Sequence, residues 1–503
     1  MGNRFRLHDI RSATQAVGTA RECRVRECRD ADRLSSRGPA IRTVLAGLCA
    51  ALLCSCADFD LRIPEHQRPD TPAKASWSRQ AAVSASETIN PDWWKGFQDP
   101  TLNWLVNKAI EGNFDLKVLA ARIDVANAQI AEARAGAQPF LDIGAGTGFE
   151  KNTGQKITRQ YNLGTQVNWD LDIWGQVEKG VQAQAAEYRA TEADWRAGFL
   201  RLVADVSTTY FQILQFDEQI EQQQQALGKN KQILDIYAAM HDSGLVPGMQ
   251  VLRQRAEINR LTRDLLELER SRELAENALA TLIGVPAREL KVPAGRLQDS
   301  VHIPLVPAGL PAELLARRPD IIAAEHRVLA TTNMVGQAKL AQLPSISLTG
   351  RAGSASLALS DLLKSFTFGL SPSFNIPALN PGIKARIKTT EAQTRIAEQD
   401  YRRTVIAAFE EIENALVNLD ARRKQRTELQ RQVDHLKVVA AQVDAQLKAG
   451  LVSQLEVFET ERSLLSAQLA SSAHHQQILS DTVTLYKALG GGWPPVHVGN
   501  ASH

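Results

Sequence analysis

Hydrophobic and polar residues follow two different periods along this chain, and the two periods alternate in long blocks. From about Val177 to Asp242 the apolar residues recur at helical spacing, and Ile213, Ile220, Leu227 and Leu234 repeat every seven residues. This stretch contains no proline, and at about 1.5 Å per residue it predicts a helix on the order of 90 Å long. A helix of that length reaches beyond the core of a compact domain, so it needs coiled-coil partners.

A second helical block follows each long helix after a short interruption that contains glycine. The interruptions read SGLVPG at 243–248 and AGLVSQ at 449–454, which is an offset of 206 residues. In each, a glycine lies just past the last periodic residue, where a left-handed backbone favours glycine. One such stretch would be an ordinary helix–helix turn, but two at a constant spacing indicate duplicated hairpin tips. The predicted tip residues are Gly244, Leu245 and Val246 in the first hairpin and Gly450, Leu451 and Val452 in the second.

Ahead of each long helix the period of the pattern changes to two. Apolar residues alternate with small or polar ones around 141–149, 161–173, 346–352 and 366–376. This alternation predicts four strands, each with one apolar and one polar face. Pro139 and Pro344 precede the two strand pairs, and their rings end the helical patterns before them.

The order of helix, two strands, long helix, tip and return helix therefore occurs twice. Asp115 falls on Asp320 and Pro139 falls on Pro344 at an offset of 205 residues. We assign residues 1–55 to a signal segment, 56–90 to an N-terminal linker, 91–290 to the first repeat, 291–307 to a linker, 308–490 to the second repeat and 491–503 to a tail.

Four strands in one chain leave two sheet edges with unpaired backbone groups. If the apolar face meets lipid, those edges must be closed, and four strands are too few to close a barrel alone. Several chains must then pool their strands. Aromatic residues near the strand ends, such as Phe149, Tyr161, Trp169 and Trp174, suit the interfaces of such a barrel. A soluble sandwich with one wetted face would alternate in the same way, but helices of some 90 Å joined directly to the strands argue against it.

The cysteines add a targeting signal at the N-terminus. They all lie within the first 56 residues, at Cys23, Cys28, Cys49, Cys54 and Cys56. An Arg-rich stretch, an apolar run and the sequence Leu53-Cys54-Ser55-Cys56 together resemble a lipoprotein signal, which predicts lipidation of Cys56. The alternative is a plain cleaved signal peptide with an incidental cysteine. Residues 1–40 are long for such a signal, and the sequence leaves the true translation start open.

Charge and side-chain chemistry exclude several classes of function. The net charge of +2 comes from the Arg-rich first 55 residues, and the rest of the chain is slightly acidic, so no nucleic-acid partner is predicted. No Ser/His/Asp order or metal-ligand spacing indicates an enzyme, and we expect neither catalysis nor a cofactor or metal. His474 and His475 point to different faces of one helix, and we expect them to be solvated rather than ligands.

Several short motifs carry a family resemblance over about residues 90–490. They are Asp92-Trp93-Trp94 with Phe97 and Asp99-Pro100, the sequence RRPDI at 317–321, the sequence PSISL at 344–348, and the two GLV tips. Together they resemble the TolC-type outer-membrane efflux channels, in particular the NodT-like lipoprotein branch that serves resistance–nodulation–division pumps.

The resemblance implies an α+β membrane protein with a two-fold internal repeat. In this family three chains pool four strands each into a 12-stranded outer-membrane barrel, which a long periplasmic coiled-coil barrel of helices continues. It also implies outer-membrane lipid around the barrel, with a periplasmic adaptor protein and an inner-membrane pump at the tips. The expected function is a passive duct for drugs or other small molecules. A duct for type I protein secretion and a purely structural envelope coiled-coil protein remain as alternatives.

One departure from the family concerns the gate at the periplasmic end. The lock described for the best-known member uses a Tyr and an Arg, and the matching positions here hold Leu447 and Val452, so that lock is absent. Glu456 and Glu459 represent the family's pair of acids one turn further on. The expected gate residues are Glu456, Glu459, Leu447, Val452 and Leu455, with Leu451 adding to their apolar packing.

Overall fold

A computed structural model describes residues 62–65, 67–70, 91–151, 153–154, 157–297, 301–304, 306, 317–364, 366–377 and 380–491. The chain divides into a unit Met1–Arg62, of which only the last residue is described, and a unit Ile63–His503. The predicted signal segment and Cys56 therefore lie outside the described residues.

The elements follow the predicted order. Within the described residues, a 3₁₀ helix (Trp93–Phe97) is followed by the helices α1 (Pro100–Gly112), α2 (Phe114–Ala135), α3 (Gln176–Asp242), α4 (Gly248–Ile283), α5 (Pro319–Leu340), α6 (Pro381–Lys448) and α7 (Gln454–Ala488). The strands are β1 (Phe140–Glu150), β2 (Thr158–Leu171), β3 (Ser345–Ser356) and β4 (Thr367–Asn375), and a short 3₁₀ turn (Leu359–Asp361) lies between the last two. Among the described residues, no helix combines the length and the apolar composition needed to cross a membrane.

The strands form one antiparallel sheet in the order β1-β2-β3-β4. The register of the two central strands pairs Gly164 with Gly353, and the first repeat thereby joins the second. Sequential strands are neighbours throughout, so β1 and β4 are left as the two edges.

The helices form one layer whose neighbours change along its length. Near the sheet the order is α2-α3-α5-α6, and near the tips it is α4-α3-α7-α6. The two long helices, α3 with 67 residues and α6 with 68, run through both halves. At about 1.5 Å per residue each is roughly 100 Å long, close to the length of about 90 Å that the pattern over 177–242 predicted for the first of them.

The helical region that precedes β1 is divided into two helices, α1 and α2. Asn113 has an extended backbone (ψ 127°), and its side chain accepts a hydrogen bond from the Leu116 N–H at 2.8 Å. The residue thus caps α2 and separates it from α1. Asparagine is a good helix cap, and this short polar side chain is the signal that the apolar period alone does not show.

The main core lies between α1 and the parts of α3, α4, α6 and α7 that surround it. Phe97, Phe211 and Leu279 are fully buried there, and the motif residue Trp93 stacks on Tyr486 with ring centroids 5.0 Å apart. Asp99 caps α1 through the Thr101 N–H at 2.7 Å. The DWW…DP motif is therefore an anchor for this core.

The segment between the repeats packs against the same core. Leu290, Val292 and Leu297 are buried, and the Arg272 guanidinium donates a hydrogen bond to the Val292 carbonyl at 2.9 Å. The Val292 N–H in turn donates to Glu276 at 2.6 Å. The predicted linker thus fastens α4 to its surroundings.

Candidate functional site

The sheet exposes a continuous apolar face. Ile143, Phe368 and Leu370 are 75%, 92% and 70% exposed, although side chains of this kind are usually buried in a soluble domain. The register places them together, because Ile143 lies opposite Thr165, which pairs with Ala352 and then Phe368. A contiguous apolar face of this size marks a surface that another apolar phase or partner covers.

The opposite face of the same sheet is polar and rich in small residues. Its side chains include Asp142, Asn162, Gln166, Asn168, Thr349, Arg351, Ser371 and Ser373. Asn168 accepts hydrogen bonds from Gln166 at 2.7 Å and from Thr349 at 3.3 Å. The sheet therefore has one wetted face and one apolar face, as the alternating pattern predicted.

Aromatic side chains lie near the ends of the strands. The Trp169 indole donates a hydrogen bond to the Ala137 carbonyl at 2.9 Å, and the Trp174 indole donates to the Pro344 carbonyl at 2.6 Å. At the other end the Arg159 guanidinium lies 5.6 Å from the centre of the Phe149 ring. Indoles with a bonded N–H and an exposed apolar body are typical of membrane–water interfaces.

The open edges of the sheet and of the helical layer coincide. β1 is continuous in sequence with α2, which is the first helix of its layer, and β4 leads into α6, which is the last. Exposed apolar side chains line both edge helices, with Phe114 and Val125 on α2 and Ile396 and Ile406 on α6. One chain therefore has two different open edges. Each edge consists of an edge strand and the helix that is continuous with it, and neither has a neighbour on its outer side within the described residues.

The two predicted tips have the same backbone geometry. Gly244 has φ +72° and Gly450 has φ +74°. In the first tip the N–H groups of Gly244 and Leu245 donate to the carbonyls of His241 and Met240, both at 2.8 Å. The second tip repeats this arrangement, with the N–H of Leu451 donating to the Gln446 carbonyl at 2.9 Å. This is the Schellman ending, which the glycine signal predicted.

The leucines at the tips are exposed, and the valines are half-buried. Leu245 is 72% exposed and Leu451 is 76% exposed, whereas Val246 and Val452 are partly covered. The tips thus present apolar side chains at the end of the molecule farthest from the sheet.

The expected gate residues lie together at the start of α7. Glu456 and Glu459 are both exposed, and the Ser453 hydroxyl caps the helix through the Glu456 N–H at 3.4 Å. Leu447 is half-buried, while Leu455 is 58% exposed. The exposed leucines do not pack into their own chain, so any apolar closure would have to form between copies.

A buried polar contact that the sequence pattern did not reveal joins the two hairpins near the tips. Gln254 of α4 is fully buried, and its amide donates to the Asn230 backbone carbonyl at 2.8 Å and to the Asn230 side chain at 3.0 Å. Gln454 of α7 donates to the Gln254 side chain at 3.4 Å. Glutamine is common on exposed helix surfaces, and the spacing of apolar residues along α4 and α7 does not distinguish Gln254 and Gln454 from exposed glutamines.

The expectation that His474 and His475 are solvated is wrong. They are 7% and 5% exposed, and the His474 Nε2 lies 2.8 Å from the Arg422 carbonyl. Burial, together with the nearby Arg426 and His474, lowers the pKa of His475 to about 4. Two adjacent residues can both be buried here because α7 packs against α3 on one side and α6 on the other. In the described part of the chain no group of His, Cys, Asp and Glu side chains could hold a metal ion.

Comparison with known proteins gives the same picture over most of the chain. The family model described as outer membrane efflux protein matches residues 105–285 and 310–491, which correspond to the two repeats. The toluene efflux pump outer membrane protein TtgI of Pseudomonas putida is 30% identical over 86% of this chain and 95% of its own length. The pyoverdine export outer membrane protein OpmQ of the same species is 29% identical over 83% of this chain and 92% of its own. The probable outer membrane lipoprotein SilC of Salmonella typhimurium is 28% identical over 88% of this chain and 97% of its own.

Solved structures of outer-membrane channels share the fold. The open state of the Neisseria gonorrhoeae MtrE outer membrane channel superimposes with a TM-score of 0.78 at 28% identity, over 86% of this chain and 98% of that one. The outer-membrane channel OprN superimposes with a TM-score of 0.77 at 29% identity, over 86% of this chain and all of that one.

Proposed function

Because the chain belongs to the outer membrane efflux protein family, we propose that three copies of it form a passive duct that exports small molecules through the outer membrane. The observation that carries this proposal is the four-stranded sheet with an exposed apolar face and two unpaired edges. Such a sheet is stable in lipid only when other strands close its edges.

The strand count supports three copies. Each copy contributes four strands, and three give twelve, which is an even number within the range of outer-membrane barrels. The two edges of one chain are different, so copies join head to tail and close into a ring. The same ring closes the helical layer into a tunnel, since α2 and α6 end that layer on the same two sides.

The tips are the proposed docking surface for a periplasmic adaptor protein and, through it, an inner-membrane pump of the resistance–nodulation–division class. Gly244 and Gly450 place exposed leucines at the end of the tunnel farthest from the sheet. Relatives are named as the outer membrane proteins of solvent, toluene and antibiotic efflux pumps, which favours a tripartite pump over a lone channel.

The names of these relatives favour export of small molecules over type I protein secretion. They refer to pyoverdine, solvents, toluene and antibiotics, and none refers to a protein cargo. A purely structural spacer would need neither the polar face of the sheet nor its two open edges. The duct is passive in this proposal, and the energy for transport comes from the pump.

Two further features belong to the proposal. Cys56 carries acyl chains that anchor the chain in the outer membrane, supported by the signal motif and by a relative named as a lipoprotein. Glu456 and Glu459 line the periplasmic aperture, where Leu447, Leu451, Val452 and Leu455 hold the resting tip shut. The exposure of both carboxylates and of two of the leucines in a single chain is consistent with contacts between copies.

The test is deletion and complementation in the native bacterium, combined with cross-linking in cells. Loss of the protein should increase the accumulation of a panel of toxic organic molecules, and the full chain should restore efflux. Cross-linked complexes should contain three copies with an adaptor. A well-ordered monomer in detergent would contradict the proposed duct. So would an unchanged accumulation of the toxic molecules when the gene is deleted in a strain that lacks every paralogous channel.

A further inference from the structure

One row of side chains across the polar face of the sheet carries two opposite charges. Asp142 pairs with Gln166, Gln166 pairs with Arg351, and Arg351 pairs with Gly369. Residues directly opposite one another in antiparallel strands point to the same face. Neighbouring strands lie about 4.8 Å apart, so Asp142 and Arg351 are separated by roughly 10 Å with the glutamine between them.

The neighbouring row on the side away from the helices leaves the two charged side chains exposed. On the side away from the helices the next row is Gly144, Gly164, Gly353 and Thr367, so the three positions beside Asp142, Gln166 and Arg351 are glycines. The row and its surroundings line an open groove of about 720 Å³. An added Cβ at Gly353 would lie 2.8 Å from the Leu163 carbonyl oxygen, so glycine is required there for the close approach of β2 and β3.

Neither charge is neutralised within the sheet. In the strands that the structure describes, the side chains of Asp142 and Arg351 form no ion pair or hydrogen bond. The Gln166 amide between them is turned away to Asn168, at 2.7 Å. On the polar face of these strands Arg351 is the sole basic residue, and the other acids, Glu150 and Asp170, lie near the two ends.

We propose that Asp142 and Arg351 form a belt of alternating charge around the lumen of the barrel, which orients zwitterionic or strongly dipolar small molecules as they leave. The inference rests on the proposed function, because the polar face lines a lumen only when copies close the barrel. Three copies place three carboxylates and three guanidinium groups around the wall. Because barrel strands are tilted by about 40°, the two kinds of charge differ in height by roughly 6 Å. A belt with no net charge favours neither anions nor cations, but it attracts the two ends of a dipolar molecule at once.

A thiol placed in the belt tests this directly. Position 369 suits the thiol because Gly369 pairs with Arg351 and an added Cβ there meets no atom within 4 Å. The chain contains no cysteine after Cys56, so Gly369→Cys introduces the only thiol of the sheet. Anionic, cationic, neutral and zwitterionic methanethiosulfonates are added outside intact cells, and their rates of reaction are compared at low and high salt. Entry from outside avoids the periplasmic gate.

A unit charge some 7 Å away in water changes the rate of a singly charged reagent by about two- to threefold. Arg351→Gln should therefore slow the anionic reagent and speed up the cationic one, so that the anionic-to-cationic rate ratio falls by about sevenfold at low salt. Asp142→Asn shifts the ratio the other way by less, because it lies farther from the thiol. Either change slows the zwitterionic reagent relative to the neutral one, and high salt removes these differences. Gln166→Ala, a change in the same row without a change of charge, leaves the ratios unaltered.

Ile143→Cys on the apolar face is the control for the barrel itself, since lipid should shield it from every charged reagent. One outcome would overturn the belt and leave the proposed duct intact. In that outcome Gly369→Cys reacts and Ile143→Cys does not, but Arg351→Gln and Asp142→Asn leave the rate ratios unchanged. If the two cysteines react equally, the polar face does not line a closed lumen, and the proposed function fails together with the belt. The parent chain measures the background, and trimer yield verifies the assembly of each variant.

Discussion

The side-chain amide of Asn113 donates a hydrogen bond to the backbone carbonyl of Leu282 at 2.9 Å, which ties the start of α2 to the end of α4. The second repeat has the equivalent contact, in which the Arg318 guanidinium donates to the Ala488 carbonyl at 2.8 Å. The two donors are 205 residues apart and the two acceptors 206. The repeat therefore conserves a junction, with different side chains, at which each return helix ends against the helix that leads to the membrane strands.

This junction gives a prediction for Gly284, which has φ +82° and whose added Cβ would lie 2.4 Å from the Gly112 carbonyl oxygen. Gly284→Ala should lower the free energy of unfolding by roughly 1–3 kcal/mol through the strained backbone alone, with the clash in addition. Gly228→Ala within α3, where an added Cβ meets nothing within 4 Å, should instead be neutral or stabilise by about 0.5–1 kcal/mol. Thermal unfolding of the purified assemblies distinguishes the two, and equal effects would contradict the junction.

Sequence patterns predicted most of the fold but little of how the elements touch. The heptad spacing without proline predicted α3, and the alternation of apolar residues with small or polar ones predicted the four strands. Both predictions succeeded because these periods reflect local backbone geometry. The buried Gln254 and the buried His475 were not predicted, since their burial depends on helices more than 150 residues away in the chain or on several helices at once. Likewise Val292, Leu297, Val301 and Val306 belong to the buried core, although the composition of the segment around them predicts a linker.

The tips give a second prediction. Gly450→Val or Gly244→Val places a β-branched residue at a φ near +70°, which strains the Schellman ending and redirects the exposed leucine beside it. Trimers should still form, but adaptor cross-linking and efflux should fall. Gly154→Val in the β1–β2 connection is the matched control, because it has φ +85° and open space but lies at the other end of the molecule. Efflux unaltered by both tip changes would reduce the tips to ordinary turns.

The lipid anchor is tested at Cys56. Mass spectrometry of the mature protein should show acyl chains on this residue, which becomes the N-terminus. Each buried methylene contributes about 0.8 kcal/mol, so two or more chains hold the protein firmly. Cys56→Ser should remove the lipid without preventing barrel assembly, since the lipid supplements an apolar sheet face. An unmodified Cys56, or cleavage elsewhere, would end this hypothesis.

His475 predicts a loss of stability in acid. Its pKa is about 4 in the folded chain, below the ordinary value of 6.5, so the unfolded state binds the proton more tightly. Its contribution to stability is then complete above pH 6.5 and falls as the pH drops towards 4, at about 1.4 kcal/mol per pH unit at most. Its Nε2 has no hydrogen-bond partner in the described residues, so His475→Leu should flatten this dependence without leaving a polar group unpaired. The exposed His435→Gln is the control, and unfolding midpoints between pH 4.5 and 7.5 give the comparison.

The last prediction concerns the charge at the periplasmic aperture. Glu456 and Glu459 are three residues apart on α7, so they share one helix face, and both are exposed in the single chain. Three copies would place six carboxylates around the narrowest part of the tunnel. Two such charges about 7 Å apart repel by roughly 0.6 kcal/mol in water and about 2.4 kcal/mol at an effective dielectric constant of 20. The ring should therefore favour cations, bind divalent ions that block the pore, and resist closure unless apolar contacts offset the repulsion.

Single-channel recording on the double variant Glu456→Gln/Glu459→Gln should show reduced cation selectivity and weaker block by divalent cations. The competing explanation is that the acids only favour the start of α7 through the helix dipole, which would lower stability and leave the pore unchanged. Glu461→Gln is the matched control, because Glu461 lies on the same helix but forms an ion pair with Lys229 at 3.6 Å. Selectivity and block that stay at the wild-type level in the double variant would place both acids outside the aperture, whereas a change there but not in Glu461→Gln assigns them to its wall.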